Sequence, residues 1–225
     1  MIINRDQHLN QRVQPRDNRY FAAQQPWVSL VTGDITALTQ AGLPIVIPAG
    51  PHALPQALIT PSGDDQPFGK HTPRLWQHYP FTLTQHVVGL DAKDSGQLGS
   101  VLQADPFAPH WGDQTGCRLF DEDGQASDFL NNTLTGLRAV QKKVMETQQL
   151  VWRLHQRRVL TPCVVHHAGY SLDVYRIDIK QLTERLGSST DYSDMRLLMM
   201  ATNIEDSQEG LERWLHTGAS CMASC

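Results

Sequence analysis

No apolar run in this 225-residue sequence approaches the roughly 18–20 residues needed to cross a bilayer. The longest helical pattern is interrupted by Arg138, Lys142, Lys143, Glu146 and Arg153, which excludes a membrane span there. A basic run is missing as well. Nineteen Lys and Arg stand against 23 Asp and Glu, a net charge of −4, so nucleic acid is not an expected partner. The opening residues, Met1-Ile2-Ile3-Asn4-Arg5-Asp6-Gln7-His8, lack a basic stretch followed by an apolar one, and with no secretory signal visible a cytoplasmic location is expected. Cysteine is scarce. Cys117, Cys163, Cys221 and Cys225 fall short of a disulfide scaffold and should be mostly reduced. A Gly-rich phosphate loop, a GxSxG elbow and an HExxH helix are also absent, which removes the enzyme classes with local signatures. Enzymatic activity is left open, with a non-catalytic role favoured and no cofactor expected.

What is present is enough to fold. Hydrophobic residues make up 40% and charged residues 19%, which supports a packed core rather than a disordered chain. Length and pattern suggest a polar, loosely held arm over 1–25, one domain over 26–218 and a flexible tail over 219–225. Short apolar runs broken by Pro and Gly predict strands at 27–31, 43–47, 57–59, 81–83 and 87–90, with a short helix over 36–41 ended by Gly42. Pro44 and Pro48 flank Ile45-Val46-Ile47, and because proline cannot donate to a ladder, an edge strand or a strand start is expected over a central position. Residues 92–127 read as a long loop.

Beyond the loop, Phe129, Leu130, Leu134, Leu137, Val140, Val144, Val151 and Leu154 recur at three- and four-residue steps. This predicts one helix over 127–155, capped by Ser127 or Asp128 and roughly 40 Å long, with Leu134, Leu137, Val144 and Val151 inside. A hairpin around Ala168-Gly169 follows, then a short helix between Asp178 and Gly187, then helical residues over 193–204 and 207–216. The fold class expected is α+β: a short-stranded, mostly antiparallel sheet from the first half, packed against the long helix and the C-terminal helices.

The order of these landmarks resembles the SapC family of Gram-negative bacteria, named for a member linked to a surface-layer locus and distinct from the peptide-transport permease of the same name. The matching pieces are Leu43-Pro44-Ile45-Val46-Ile47, Leu75-Trp76-Gln77-His78-Tyr79-Pro80-Phe81, and Arg118-Leu119-Phe120-Asp121-Glu122-Asp123-Gly124. To these are added the hairpin ending in Tyr175-Arg176-Ile177-Asp178 and the terminal helices, so that the resemblance covers residues 27–216. It implies no catalytic residues. Relatives tend to be encoded beside outer-membrane receptor, flavin-halogenase-like and cupin-like proteins of carbohydrate-uptake loci. An accessory role is therefore implied, with a protein partner from a flavoenzyme or envelope system.

Several constellations carry potential chemistry. Asp105-Pro106-Phe107-Ala108-Pro109-His110-Trp111-Gly112-Asp113 groups an imidazole, carboxylates and an indole in one loop. His110, Trp111 and Asp113, with Trp76 and Tyr79 as an aromatic surface, are the candidate ligand-binding residues for a small molecule or sugar. The competing reading has Phe107 and Trp111 plugging the core and Tyr79 anchoring a turn. Cys163, His166 and His167 have ligand types that suit Zn²⁺ or Fe²⁺, as in a metal-dependent enzyme. Successive strand residues point to opposite faces, though, so only one histidine would join Cys163, and a structural cysteine beside turn histidines is preferred. Asp121-Glu122-Asp123-Gly124 lacks EF-hand spacing and reads as a turn. Cys221 and Cys225, spaced CxxxC, read as thiols on a mobile tail.

Overall fold

A computed structural model describes residues 1–14, 26–50, 53–59, 71–88, 97–106, 108, 111, 112, 115–167 and 169–209. Its helices, in chain order, are α1 (Arg5–His8), α2 (Thr32–Gln40), α3 (Asp128–Gln156), α4 (Ile179–Leu186) and α5 (Tyr192–Glu209). The strands are β1 (Arg12–Val13), β2 (Trp27–Ser29), β3 (Ile45–Pro48), β4 (Gln56–Leu58), β5 (Phe81–Val88), β6 (Gln97–Ala104), β7 (Trp111–Gly112), β8 (Cys117–Arg118), β9 (Leu160–His167) and β10 (Tyr170–Ile177). The protein is α+β, and every strand pairing among the described residues is antiparallel. The chain divides into two compact units, Met1–Asp17 with Trp76–Lys142, and Asn18–Leu75 with Lys143–Cys225.

In the first unit β1 lies between β7 and β8, and β5 pairs with β6 along its whole length. Residues 1–14 are built into this unit, where the polar composition suggested a loose arm. Ile3 N–H donates to Leu102 O at 3.0 Å, Ala104 N–H to Met1 O at 2.8 Å, and Val13 is buried. Backbone hydrogen bonds to β6 order this polar segment, and they leave no trace in side-chain periodicity. Strand β6 also corrects the expected long loop over 92–127. Gly99 and Ser100 dilute its apolar signal, and pairing with β5 supplies what propensity does not. Phe81, Leu102, Leu119, Phe120, Leu130 and Leu137 form the centre of this core. The Asp121–Gly124 turn is held by the Asp121 carboxylate, which accepts from Asp123 N–H at 3.0 Å and Gln125 N–H at 2.7 Å, while Gly124 takes φ 75°. Ser127 Oγ then accepts from Leu130 N–H at 3.2 Å and caps α3.

In the second unit the sheet order is β2-β4-β3-β10-β9. β3 is therefore central, not at an edge. Ile45 and Val46 face β4, while Ile47 and Pro48 face β10, so the strand changes partner half-way. Its prolines fall where no ladder donor is required: Pro44 contributes only its carbonyl, which accepts from Leu58 N–H at 2.9 Å, and Pro48 ends the strand. The Ile45 N–H donates to Ser207 Oγ of α5 at 2.9 Å. On α3, Leu137 and Val151 are buried as expected, but Leu134 and Val144 are half-buried. Thr133 and Thr147 are inside instead. Thr147 Oγ1 accepts from Thr32 N–H at 3.0 Å at the start of α2 and donates to Lys143 O at 2.7 Å, so a count of apolar residues misplaces the face.

Candidate functional site

In the first unit, the segment Trp76-Gln77-His78-Tyr79-Pro80-Phe81 turns into β5 through a cis Tyr79–Pro80 bond. Tyr79 Oη donates to Asp105 Oδ2 at 2.5 Å, and Trp111 Nε1–H donates to the Asp105 carbonyl at 2.8 Å. The Trp111 ring meets Phe81 edge-on at 5.9 Å between centroids, and Phe81 meets Phe129 at 6.2 Å. Two of the expected ligand-binding residues, Tyr79 and Trp111, are thus brought together around Asp105. Trp111 directs its indole N–H at backbone and its ring at the core. Trp76 is half-buried in the preceding turn. His110 and Asp113 lie outside the described residues, as does Phe107.

His78, next to Tyr79, was not among the expected site residues. Its imidazole rests on α3 at Gly136, where a Cβ would come within 2.2 Å of the ring carbon Cε1. Burial holds its pKa below the ordinary value of 6.5, so the ring is neutral at pH 7. The signal in the sequence was Gly136 itself, a costly residue in the middle of a helix.

The second unit contains a buried carboxylate that the sequence did not announce. Asp34, in the first turn of α2, is fully buried. Its Oδ1 lies 3.0 Å from His71 Nε2 and 3.7 Å from Arg74 Nε, while Oδ2 accepts from Arg74 N–H at 3.2 Å and Val31 N–H at 3.4 Å. These donors compensate its desolvation and tie residues 71–74 to the start of α2. Cys163 is half-buried on β9 beside the cluster of Val46, Leu58, Val165 and Val174. His166 is exposed on the opposite face of the strand, with Nδ1 3.0 Å from Ser171 Oγ, so it does not converge with Cys163. The His167 side chain, Cys221 and Cys225 lie outside the described residues. Among those described, no three His, Cys, Asp or Glu side chains gather in a group suited to a metal ion.

The third arrangement is a cleft of about 110 Å³ lined by Glu146, Gln149, Leu150 and Arg153 of α3 and by Tyr192, Ser193 and Arg196 of α5. Glu146 accepts from Lys143 at 2.9 Å and from Arg196 at 3.1 Å, and these two hydrogen bonds hold its carboxyl below the usual range. Asp194 is paired with Arg153 and, at 3.1 Å, with Arg157. Its pKa is also lowered, first by the Ser189 hydroxyl, which donates at 2.8 Å, and then by the two arginines. The Arg196 guanidinium sits 5.9 Å from the centre of the Tyr192 ring. Along the exposed stripes beside the cleft stand Met145 (48% exposed), Trp152 (43%), Tyr192 (70%), Met195 (52%) and Met199 (60%).

A family model described as SapC matches residues 3–184. The chain belongs to the SapC family. Among curated proteins and solved structures nothing matches it. The SapC match takes in β3, the Trp76–Phe81 segment, the Asp121–Gly124 turn and the β9–β10 hairpin, and it ends before α5, the wall of the cleft that carries Tyr192 and Arg196. No helix among the described residues is long and apolar enough to cross a membrane.

Proposed function

We propose that this SapC-family chain is a non-catalytic accessory protein that acts in the cytoplasm by binding a protein partner of an envelope, glycan-uptake or flavoenzyme-associated system. The observation that carries this reading is the α3–α5 face. Single exposed apolar residues are ordinary on any surface. Five large ones beside one cleft, on two helices, are not, and Trp, Tyr, Met and Arg are the residue types enriched in protein interfaces. Family membership supports the accessory role, because the resemblance implies receptor, flavin-halogenase-like and cupin-like neighbours. The test places a photo-crosslinking amino acid at Met195 or Met199, with exposed Ser171 as control, in the native bacterium. A covalent adduct to a second protein from Met195 and Met199 alone is the expected result; equal adducts at Ser171, or none anywhere, would overturn the reading.

A second reading is a small-molecule or sugar-binding module on the loop over 104–117. It draws on the Asp105 carboxylate, held at the start of that loop by Tyr79 and flanked by Trp111. A glycan panel tests it through tryptophan fluorescence. Quenching that survives Trp152→Phe but is lost in Trp76→Phe or Trp111→Phe is the outcome it requires.

A further inference from the structure

Between residues 143 and 158 the chain carries Lys143, Arg153, Arg157 and Arg158 against the single acid Glu146, although the whole chain has a net charge of −4. The fold gathers much of this charge at the cleft. Four cations, Lys143, Arg153, Arg157 and Arg196, are paired with only two carboxylates, Glu146 and Asp194, and counting also Asp191, whose carboxylate accepts from Ser193 N–H, the surroundings of the cleft keep a charge of +1. Glu146 and Asp194 are each shared between two cations, and a guanidinium has five N–H donors, so the arginines keep donors to spare. Leu150 adds an apolar surface and Tyr192 an exposed ring. At about 110 Å³ the cleft is well below the roughly 300–1,000 Å³ of pockets that enclose a metabolite. It has room for a side chain.

We propose that this cleft receives a carboxylate side chain from an acidic, amphipathic segment of the protein partner, with the apolar side of that segment lying on Met145, Trp152, Met195 and Met199. The inference rests on the reading that the chain binds a protein through α3 and α5, and it adds the chemistry of what is bound. Arg153 and Arg196 supply charge selection and orientation, and the methionines, which have several rotatable bonds, adapt to the apolar side.

The test uses synthetic amphipathic helices with leucine at i, i+3, i+4 and i+7, flanked either by glutamate or by lysine, and a glutamate-flanked control with serine for leucine. Binding is read by anisotropy and by amide shifts at 146–153 and 192–196. The glutamate–leucine helix should bind about tenfold tighter than the lysine version and weaken as salt rises. Arg153→Gln or Arg196→Gln should each cost it about threefold or more. Equal binding of the lysine helix overturns the charge assignment and leaves the docking reading standing. If neither leucine helix shifts those amides at about 1 mM, the docking reading and this proposal fall together. Equal binding of the serine control or of inorganic phosphate reduces the cleft to an anion site and overturns the proposal. So does a concentration-dependent dimer in sedimentation velocity that Met195→Asp dissolves, because the face is then covered by a second copy. Reversing the charge of the peptide keeps the test valid even if an arginine variant fails to fold.

Discussion

Tryptophan is used in opposite ways at Trp111 and on the α3–α5 face. Trp111 gives its indole N–H to the Asp105 carbonyl and an edge-on ring contact to Phe81, so that both its polar atom and its ring are engaged inside the first unit. Trp152 remains 43% exposed on α3, one turn from Gln149 of the cleft, and α5, the opposite wall, carries exposed Tyr192, Met195 and Met199. An aromatic residue whose polar atom and ring are both engaged inside contributes stability. One that keeps nearly half of its surface exposed beside cationic side chains also has area to offer a partner.

The largest effects expected are the ones that break this contrast. Trp111→Ala should destabilise the protein by about 3 kcal/mol in urea denaturation, losing both a ring contact and a hydrogen bond. Trp152→Ala should cost clearly less, about 1 kcal/mol, while weakening partner capture. Reversed results would exchange the roles of the two sites. Asp34→Ala, a loss from the interior of the second unit, should cost about 2–3 kcal/mol in the same assay. That is below the typical loss for a fully buried pair, because His71 and Arg74 still reach solvent. A change under about 0.5 kcal/mol would mean that the carboxylate is not what ties residues 71–74 to α2.

Gly136→Ala should nearly cancel. The helix gains about 1 kcal/mol in propensity and loses the packing of His78, whose ring must leave. In a His78→Ala background the same substitution should stabilise by about 1 kcal/mol, a difference that a double-mutant cycle reads directly. His78 has its folded pKa depressed by burial, so its contribution is fully present above the ordinary value of 6.5 and is lost as pH falls towards the folded value. Gly136→Ala should raise the His78 titration midpoint, followed by its ring proton in NMR, and flatten that loss of stability. An unmoved midpoint would show that the ring does not depend on the glycine.

The smallest effect is expected at the tail. Removing residues 219–225, with Cys221 and Cys225, should leave Tm within about 1 °C, and a drop of several degrees would mean that the tail docks.

Some of this was legible from local chemistry. The three- and four-residue spacing of Leu130, Leu137, Val151 and Leu154 predicted α3 within a residue at each end, and Ser127 caps it. Asp178, accepting from Gln181 N–H at 2.8 Å, and Gly187 bound α4 as expected, and β9 pairs with β10 as a hairpin whose last register pair is His167 with Tyr170. Caps, stops, hairpin turns and helical stripes involve residues a few positions apart, so the sequence by itself determined them, along with the α+β class and the resemblance to SapC. Tertiary structure alone decided the central place of β3, the ordering of residues 1–14, the burial of Thr147 and the meeting of Asp34 with His71. The pairing of Glu146 with Arg196, 50 positions apart, was decided in the same way. Each of these depends on which distant backbone or charge arrives to satisfy a polar group, and no local pattern of side chains encodes that arrival.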